Sequence, residues 1–315
     1  MIYLSTTYMG MKLRTPLVPS ASPLTQEFDS VRRLEDTGAA AIVFHSLFEE
    51  AGRGGGEEPS RLALDHYVSH LRRAKESLAI PVIASLCGTT PAGWVEYARQ
   101  IEQSGANAIE LNLYQIPSEA DIPGAQLENK YIEIVTSVKS AIRIPVAAKL
   151  TPFFTSMANM AKCFDAAGGD ARGMFNRFYQ PDFDIEALEV RPSLHFSTPS
   201  ELLPRLHWAA ILYGHTNMDI GVTGGVHSAE DVLKSIMAGG SVAMMASALH
   251  IHGIEHIRRV LSDMQYWLEK REYTCLAETR GCLSRRSVPD TSPFDRGNYI
   301  KTLSSYSLRP TVAAF

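Results

Sequence analysis

Cysteine is scarce in this chain of 315 residues: there are four, at 87, 163, 275 and 282, with neither a CxxC pair nor zinc-finger spacing. This excludes a disulfide framework, and it leaves no thiol pattern for an iron–sulfur cluster, which would have to belong to a partner. The opening Met1-Ile-Tyr-Leu-Ser-Thr-Thr has no basic stretch and no long apolar core of the secretory type. The thiols therefore read as reduced, and the expected location is the cytoplasm. No apolar run approaches the roughly 20 residues that span a bilayer, so no membrane association is expected. Positive charge is not in excess either. Lys and Arg number 30 against 34 Asp and Glu, a net charge of -4, and no basic arm or stripe argues for nucleic acid. At the carboxyl ends of the expected strands, carboxylate pairs and His/Cys/Asp clusters with metal-ligand spacing are also missing, which argues against a metal hydrolase.

What the chain has is alternation. Short β-branched runs at 17–21, 40–45, 81–86, 108–113, 144–149, 173–178, 219–223 and 241–245 are separated by amphipathic stretches. The helical stretches are expected at 28–37, 65–77, 90–104, 127–140, 156–167, 200–213 and 229–238, with a long last one over 254–271. Strands alternating with helices imply parallel pairing, and eight such units suit a closed (β/α)8 TIM barrel better than an open sheet. Gly38, Gly105, Gly168 and Gly239 stand where helices should stop before the next strand. Two segments break the pattern: the glycine-rich 49–59, expected as a loop over the catalytic face, and 180–199, expected as an insertion. The barrel is assigned to 1–273, and a polar tail over 274–315 is expected on or near it.

Active-site groups in such a barrel come from the carboxyl ends of the strands. Those ends present Ser20, Ala21, Ser22, His45, Ser46, Cys87, Asn112, Lys149, Asn176, Gly224, Gly225, Ala246 and Ser247. Thr223-Gly-Gly-Val226 followed by Ala246-Ser-Ala248 is either a phosphate grip, with glycine letting backbone N–H groups approach the oxygens, or simply a tight turn. Lys149 ends the apolar run Ile144-Pro-Val-Ala-Ala-Lys149. A buried lysine needs a partner, and three readings stand open: a cation beside a flavin ring, a Schiff-base amine, or half of a structural ion pair. Asn112 and Asn176 are either satisfied core amides or recognition groups for a planar heterocycle. His45 is a ligand contact or a capped imidazole, and Cys87 an inert or a reactive thiol.

Together these motifs resemble the dihydroorotate dehydrogenases, most closely the class 1 type and its dihydroorotate dehydrogenase-like relatives. The resemblance runs from Leu4 to about Gly253. It is carried by Leu4–Val18, which is similar to an N-terminal β-hairpin closing the barrel floor, by Glu110-Leu-Asn112, Val146–Pro152, Phe175-Asn176, Thr223–Val226 and Met245–Ala248. It implies FMN as cofactor, contacted by Ala21, Ser22, Asn112, Lys149, Gly224, Gly225, Ala246 and Ser247. It further implies a substrate held by Asn112, Asn176, Arg177 and His45. The reaction implied is oxidation of dihydroorotate to orotate in pyrimidine biosynthesis: hydride passes to flavin N5, Lys149 stabilises the anionic reduced ring, and a separate electron acceptor completes the cycle. A homodimer is implied as well. The chain departs from the family at Asn112-Leu-Tyr-Gln-Ile-Pro117, where Gln115 stands in the place of the proton-abstracting Cys or Ser. An amide cannot accept that proton, so Tyr114, His45 or Cys87 is expected to act as base.

Overall fold

The computed structural model describes residues 2–49, 58–177 and 179–305. A short hairpin, β1 (Thr6–Tyr8) and β2 (Met11–Leu13), precedes β3 (Leu17–Pro19), α1 (Phe28–Asp36), β4 (Ile42–Phe48) and α2 (Glu58–Ser77). Then come β5 (Val82–Cys87), α3 (Pro91–Gln103), β6 (Ala108–Asn112), α4 (Gly124–Ala141), β7 (Val146–Leu150), α5 (Met157–Ala166) and β8 (Ala171–Met174). A second hairpin, β9 (Asp182–Asp184) and β10 (Glu189–Arg191), leads to α6 (Leu202–Leu212), β11 (Asp219–Thr223), α7 (Ala229–Met237) and β12 (Val242–Met245). Helices α8 (Ser247–His252), α9 (His256–Lys270) and α10 (Gly297–Ser305) follow.

Eight strands form one parallel sheet in the order β3-β12-β11-β8-β7-β6-β5-β4. At the remaining seam, Ala40 N donates to Leu17 O at 3.1 Å, bringing the ends of the sheet together as a (β/α)8 barrel. Strand alternation sorts the side chains into two cores. Ile109, Leu111, Val146, Ala148, Ile220 and Val222 face the helices, whereas Val43, Ile83, Ala108, Ala147, Ala171 and Val242 face the barrel axis. Three of the axial residues are alanines on adjacent strands, and Tyr8, Met9 and Leu13 of the first hairpin pack with them as the floor. The four helix-stopping glycines all adopt positive φ, from 86° at Gly168 to 118° at Gly239.

Several boundaries differ from those read off the sequence. The sixth barrel strand ends at Met174 rather than 178, because beyond it only single bonds continue the ladder, Phe175 N to Thr223 O and Asn176 N to Leu150 O. Phe178 lies outside the described residues. The second barrel strand runs on to Phe48, and its register against β5 slips between Val43 and Ser46. The long final stretch forms α9, and a short helix that was not expected, α8, precedes it before Gly253. Of the 49–59 loop, residues 50–57 lie outside the described residues, while Glu49 is held by hydrogen bonds from the backbone and hydroxyls of Thr89 and Thr90. The 180–199 insertion carries the second hairpin. Beyond Tyr273 the chain crosses to Tyr3 and then to α7 and α6, through Leu276 N to Tyr3 O, Leu283 N to Met237 O and Arg285 N to Ala210 O.

Candidate active site

The carboxyl ends of the strands surround a cavity of about 280 Å³. Ala21, Ser22, His45, Ser46, Asn112, Lys149, Asn176, Arg177, Gly224, Gly225, Ala246 and Ser247 all line it. The slip in β4 is what admits both His45 and Ser46: one extra residue in a strand lets two neighbours face the same side.

A polar chain crosses the mouth from strand to strand. Ser85 and Ser46 share a hydrogen bond of 2.8 Å, Asn112 Nδ2 reaches Ser46 Oγ at 3.5 Å, and Asn176 Nδ2 donates to Asn112 Oδ1. Both asparagines are thus oriented by partners and still border the cavity. Beneath them, Lys149 Nζ lies 3.3 Å from Glu110 Oε1, with side-chain exposures of 9% and 1%. The structural ion pair considered for Lys149 therefore exists, and the same side chain also lines the cavity. Deeper still is the hydroxyl of Tyr8, which has no hydrogen-bond partner. Burial first, then the Glu110 and Asp219 carboxylates, hold that phenol well above its ordinary pKa.

His45 is fixed through its backbone, whose N–H donates to Thr25 Oγ1 at 2.6 Å, while Thr25 in turn donates to Ser22 O. Its ring stacks on Phe44 and has His70 6.1 Å away, and its Nδ1 is buried without a partner. Burial, and then the neighbouring His70, lower its pKa below the ordinary imidazole value, so the ring is neutral at pH 7. Arg177 pairs with Glu201 at 3.4 Å at the cavity rim.

At the opposite end, Gly224 and Gly225 have φ of +91° and +77°. A Cβ on Gly225 would lie 2.4 Å from Leu202 N, and one on Gly224 would lie 2.7 Å from Arg205 Nε. Ser197, absent from the reading of the sequence, ties this end together. Its Oγ accepts from Gly225 N at 3.3 Å, and its N–H donates to Ser247 Oγ at 3.0 Å. The segment before α6 has no periodicity that would have marked it. Two glycines that exclude side chains, the hydroxyls of Ser197 and Ser247, and a buried guanidinium behind them make a donor set that fits a phosphate monoester. The polar chain around Asn112 and Lys149 fits the edge of a flat heterocycle.

Three expected site residues are not brought here. Cys87, Tyr114 and Gln115 line a separate cavity with Trp94, Lys130 and Tyr131. Gln115 Oε1 accepts from Lys130 Nζ at 3.4 Å, and Tyr114 Oη accepts from Tyr179 N at 3.4 Å. Among the described residues no group of three His, Cys, Asp or Glu could hold a metal ion, and no helix is long and apolar enough to cross a membrane.

A parallel barrel with a polar, cation-bearing cavity at its carboxyl face defines an α/β-barrel enzyme built to bind a small polar or anionic group. Comparison with known proteins narrows this class. The family model for dihydroorotate dehydrogenase matches residues 53–268, and the chain belongs to that family, whose members are oxidoreductases acting on CH–CH groups. Among its relatives is the "Dihydroorotate dehydrogenase B (NAD(+)), catalytic subunit" of Thermoplasma acidophilum, 27% identical over 90% of this chain and 99% of the relative. The "Putative dihydroorotate dehydrogenase A (fumarate)" of Aeropyrum pernix is 26% identical, over 90% and 98%. The "NAD-dependent dihydropyrimidine dehydrogenase subunit PreA" of Escherichia coli is 24% identical, over 91% and 78%.

Proposed function

We propose that the protein is a cytoplasmic FMN-dependent oxidoreductase that oxidises dihydroorotate to orotate in pyrimidine biosynthesis. The observation that carries this reading is the meeting, around one cavity, of Lys149, Asn112, Asn176 and His45 with the Gly224–Gly225 turn. Gly224, Gly225, Ala246 and Ser247 would hold the phosphate of FMN, and Ala21, Ser22, Asn112 and Lys149 its ring. Bound there, the flavin supplies a two-electron acceptor for hydride. The rest is done by the chain. Asn112 and Asn176 orient a flat substrate by its ring amides, and Arg177 attracts its carboxylate. His45, neutral and at the cavity wall, takes the proton that leaves with C–H cleavage, the task for which Gln115 is chemically unsuited. The Schiff-base reading of Lys149 needs an uncommitted amine, and that amine is paired with Glu110.

A second reading keeps the cofactor and changes the substrate to another small planar or anionic molecule. The position of Gln115, bonded to Lys130 over a separate cavity, supports it, because the residue in the place of the family's base then stands away from the site. A flavin-binding paralogue without turnover on dihydroorotate is the third possibility. Anaerobic addition of dihydroorotate to the FMN-loaded protein separates them. Bleaching of the flavin bands supports the first. Bleaching by a dihydropyrimidine lacking the carboxylate, with none by dihydroorotate, supports the second. Bleaching by dithionite alone supports the third. On the electron acceptor the names of the relatives divide between NAD(+) and fumarate. The absence of a cluster-forming cysteine pattern means that an NAD-linked route would use a partner subunit.

We also assign a second copy of this chain as a partner. The β9–β10 hairpin holds Phe183, Ile185, Leu188 and Val190 at 69%, 78%, 90% and 62% exposure, a cost in water that a two-fold contact would remove.

A further inference from the structure

We infer that Arg205 is the counter-charge for an anion held against the Gly224–Gly225 turn, acting through the backbone, and that it makes the cavity select phosphorylated over unphosphorylated flavin. The inference rests on the flavin reading above for the identity of the anion.

Arg205 projects from α6 and is 8% exposed. Its Nε donates to Thr223 O at 2.6 Å and its second bond goes to Glu201 O. Both acceptors are neutral carbonyls, so these contacts engage two of its nitrogens without cancelling its charge. The carboxylate that acts on it electrostatically is Glu201, which is already paired with Arg177 at 3.4 Å and accepts from Thr198 N at 3.1 Å. Two guanidinium cations therefore share one carboxylate, and one positive charge is in excess at this wall. A buried cation left in excess is costly, and an anion nearby removes the cost.

The place where that anion would sit is given by packing. The Arg205 guanidinium lies directly behind Gly224, where an added Cβ would be 2.7 Å from Nε and 2.8 Å from the terminal nitrogen. Gly224 and Gly225 themselves line the cavity. The charge is thus separated from the cavity by one turn of backbone, in a region from which water is largely excluded, where its field is weakly screened. Lys149, the buried cation that lines the cavity itself, lies on β7 and is paired with Glu110 on β6. It does not duplicate this role.

The test compares FMN with riboflavin on the apoprotein by quenching of flavin fluorescence. In Arg205→Gln, FMN affinity falls on the order of 10- to 100-fold, the range of one charge-assisted interaction, while riboflavin affinity holds. Arg205→Lys recovers most of the loss. Glu201→Gln, which removes the shared carboxylate, shifts the preference the other way, towards tighter FMN. A parallel fall of FMN and riboflavin affinity in Arg205→Gln, or no fall at all, overturns the inference. Should Arg205→Gln fail to fold, Glu201→Gln decides: an unchanged FMN-to-riboflavin ratio overturns it. A wild-type protein that binds neither flavin defeats the flavin reading alone. In that case thermal protection by inorganic phosphate, seen in wild type, largely kept in Arg205→Lys and abolished in Arg205→Gln, still supports the counter-charge, and no protection in wild type overturns it.

Discussion

Inside the barrel, Lys149 and Glu110 form an ion pair at 3.3 Å in which neither carboxylate oxygen accepts a hydrogen bond. Both residues come from adjacent strands, and the register that sets Asn112 beside Lys149 places Glu110 one inward position lower. The cation at the proposed ring edge is therefore partly offset from beneath. We expect Glu110→Gln to raise the reduction potential of bound flavin, because the negative charge opposing an anionic reduced ring is gone. A shift on the order of 30 mV corresponds to about 1.4 kcal/mol for a two-electron couple. Lys149→Met should lower the potential. Either single change breaks a buried pair and should cost stability, about 3–5 kcal/mol for a pair this enclosed. Dye-linked potentiometry reads the first effect and urea unfolding the second. A potential that is the same in both variants would remove Lys149 from the flavin.

His45 and Gln115 are separated by their surroundings rather than by chemistry alone. His45 borders the cavity, whereas Gln115 bonds Lys130 over a different one. We expect His45→Gln to slow flavin reduction by about 10²–10⁴, the usual loss of a general base, and Gln115→Ala to leave it essentially unchanged. The pH profile carries the sign. Burial and His70 lower the His45 pKa, so the base is unprotonated at neutrality. The rate should be flat near pH 7 and decline on the acid side of the ordinary imidazole value, with that limb missing in His45→Gln. The same shift makes stability present above the unfolded pKa and lost as pH falls through the folded one, because only the unfolded chain binds the proton in between. Stopped-flow reduction and urea midpoints between pH 5 and 8 measure both. Full activity in His45→Gln would transfer the role elsewhere.

Much of the barrel was legible because each strand–helix unit repeats one local logic: an apolar run, a periodic helix and a glycine that reverses the chain. The site residues at strand ends followed from that logic, and Lys149, Asn112, Asn176 and the glycine pair do share a cavity. Glu110 was equally legible, since alternation puts 110 and 112 on one face. The slip in β4 left no trace in composition, so its second strand was ended at His45, three residues short. Ser197 lies in an aperiodic stretch, and Arg205 reads as an ordinary helix residue until α6 is laid against the Gly224 turn. Gln115 shows the converse. Resemblance placed it in the site, and the coil after β6 turns it towards Lys130 on α4.

Gly225 tests whether the turn shapes the cavity or merely reverses the chain. Its φ of +77° strains any residue bearing a Cβ, and that atom would lie 2.4 Å from Leu202 N. We expect Gly225→Ala to cost at least about 1–2 kcal/mol from backbone conformation alone, more with the clash. The displaced turn should also weaken FMN more than riboflavin, because only the phosphate meets it. Urea midpoints and fluorescence titration read the two separately, and equal losses for the two flavins would make the turn purely structural.

The second hairpin gives a final test, independent of the cavity chemistry. Val190 and Phe183 are cross-strand partners on one face of a two-stranded ribbon that has little else to bury against. A ribbon of three-residue strands is marginal on its own in water, so its order argues for a partner surface. In a two-fold contact each copy contributes the same patch, and burying Phe183 and Leu188 from both sides would be worth about 1.5–3 kcal/mol per side chain. We expect the double variant Phe183→Ser, Leu188→Ser to lower the mass measured by size exclusion with light scattering from two chains to one. Its thermal midpoint should become independent of protein concentration, while FMN binding stays intact, since neither residue lines the cavity. A wild-type chain that elutes as one copy at all concentrations, or a double variant that remains paired, would remove this face from the interface.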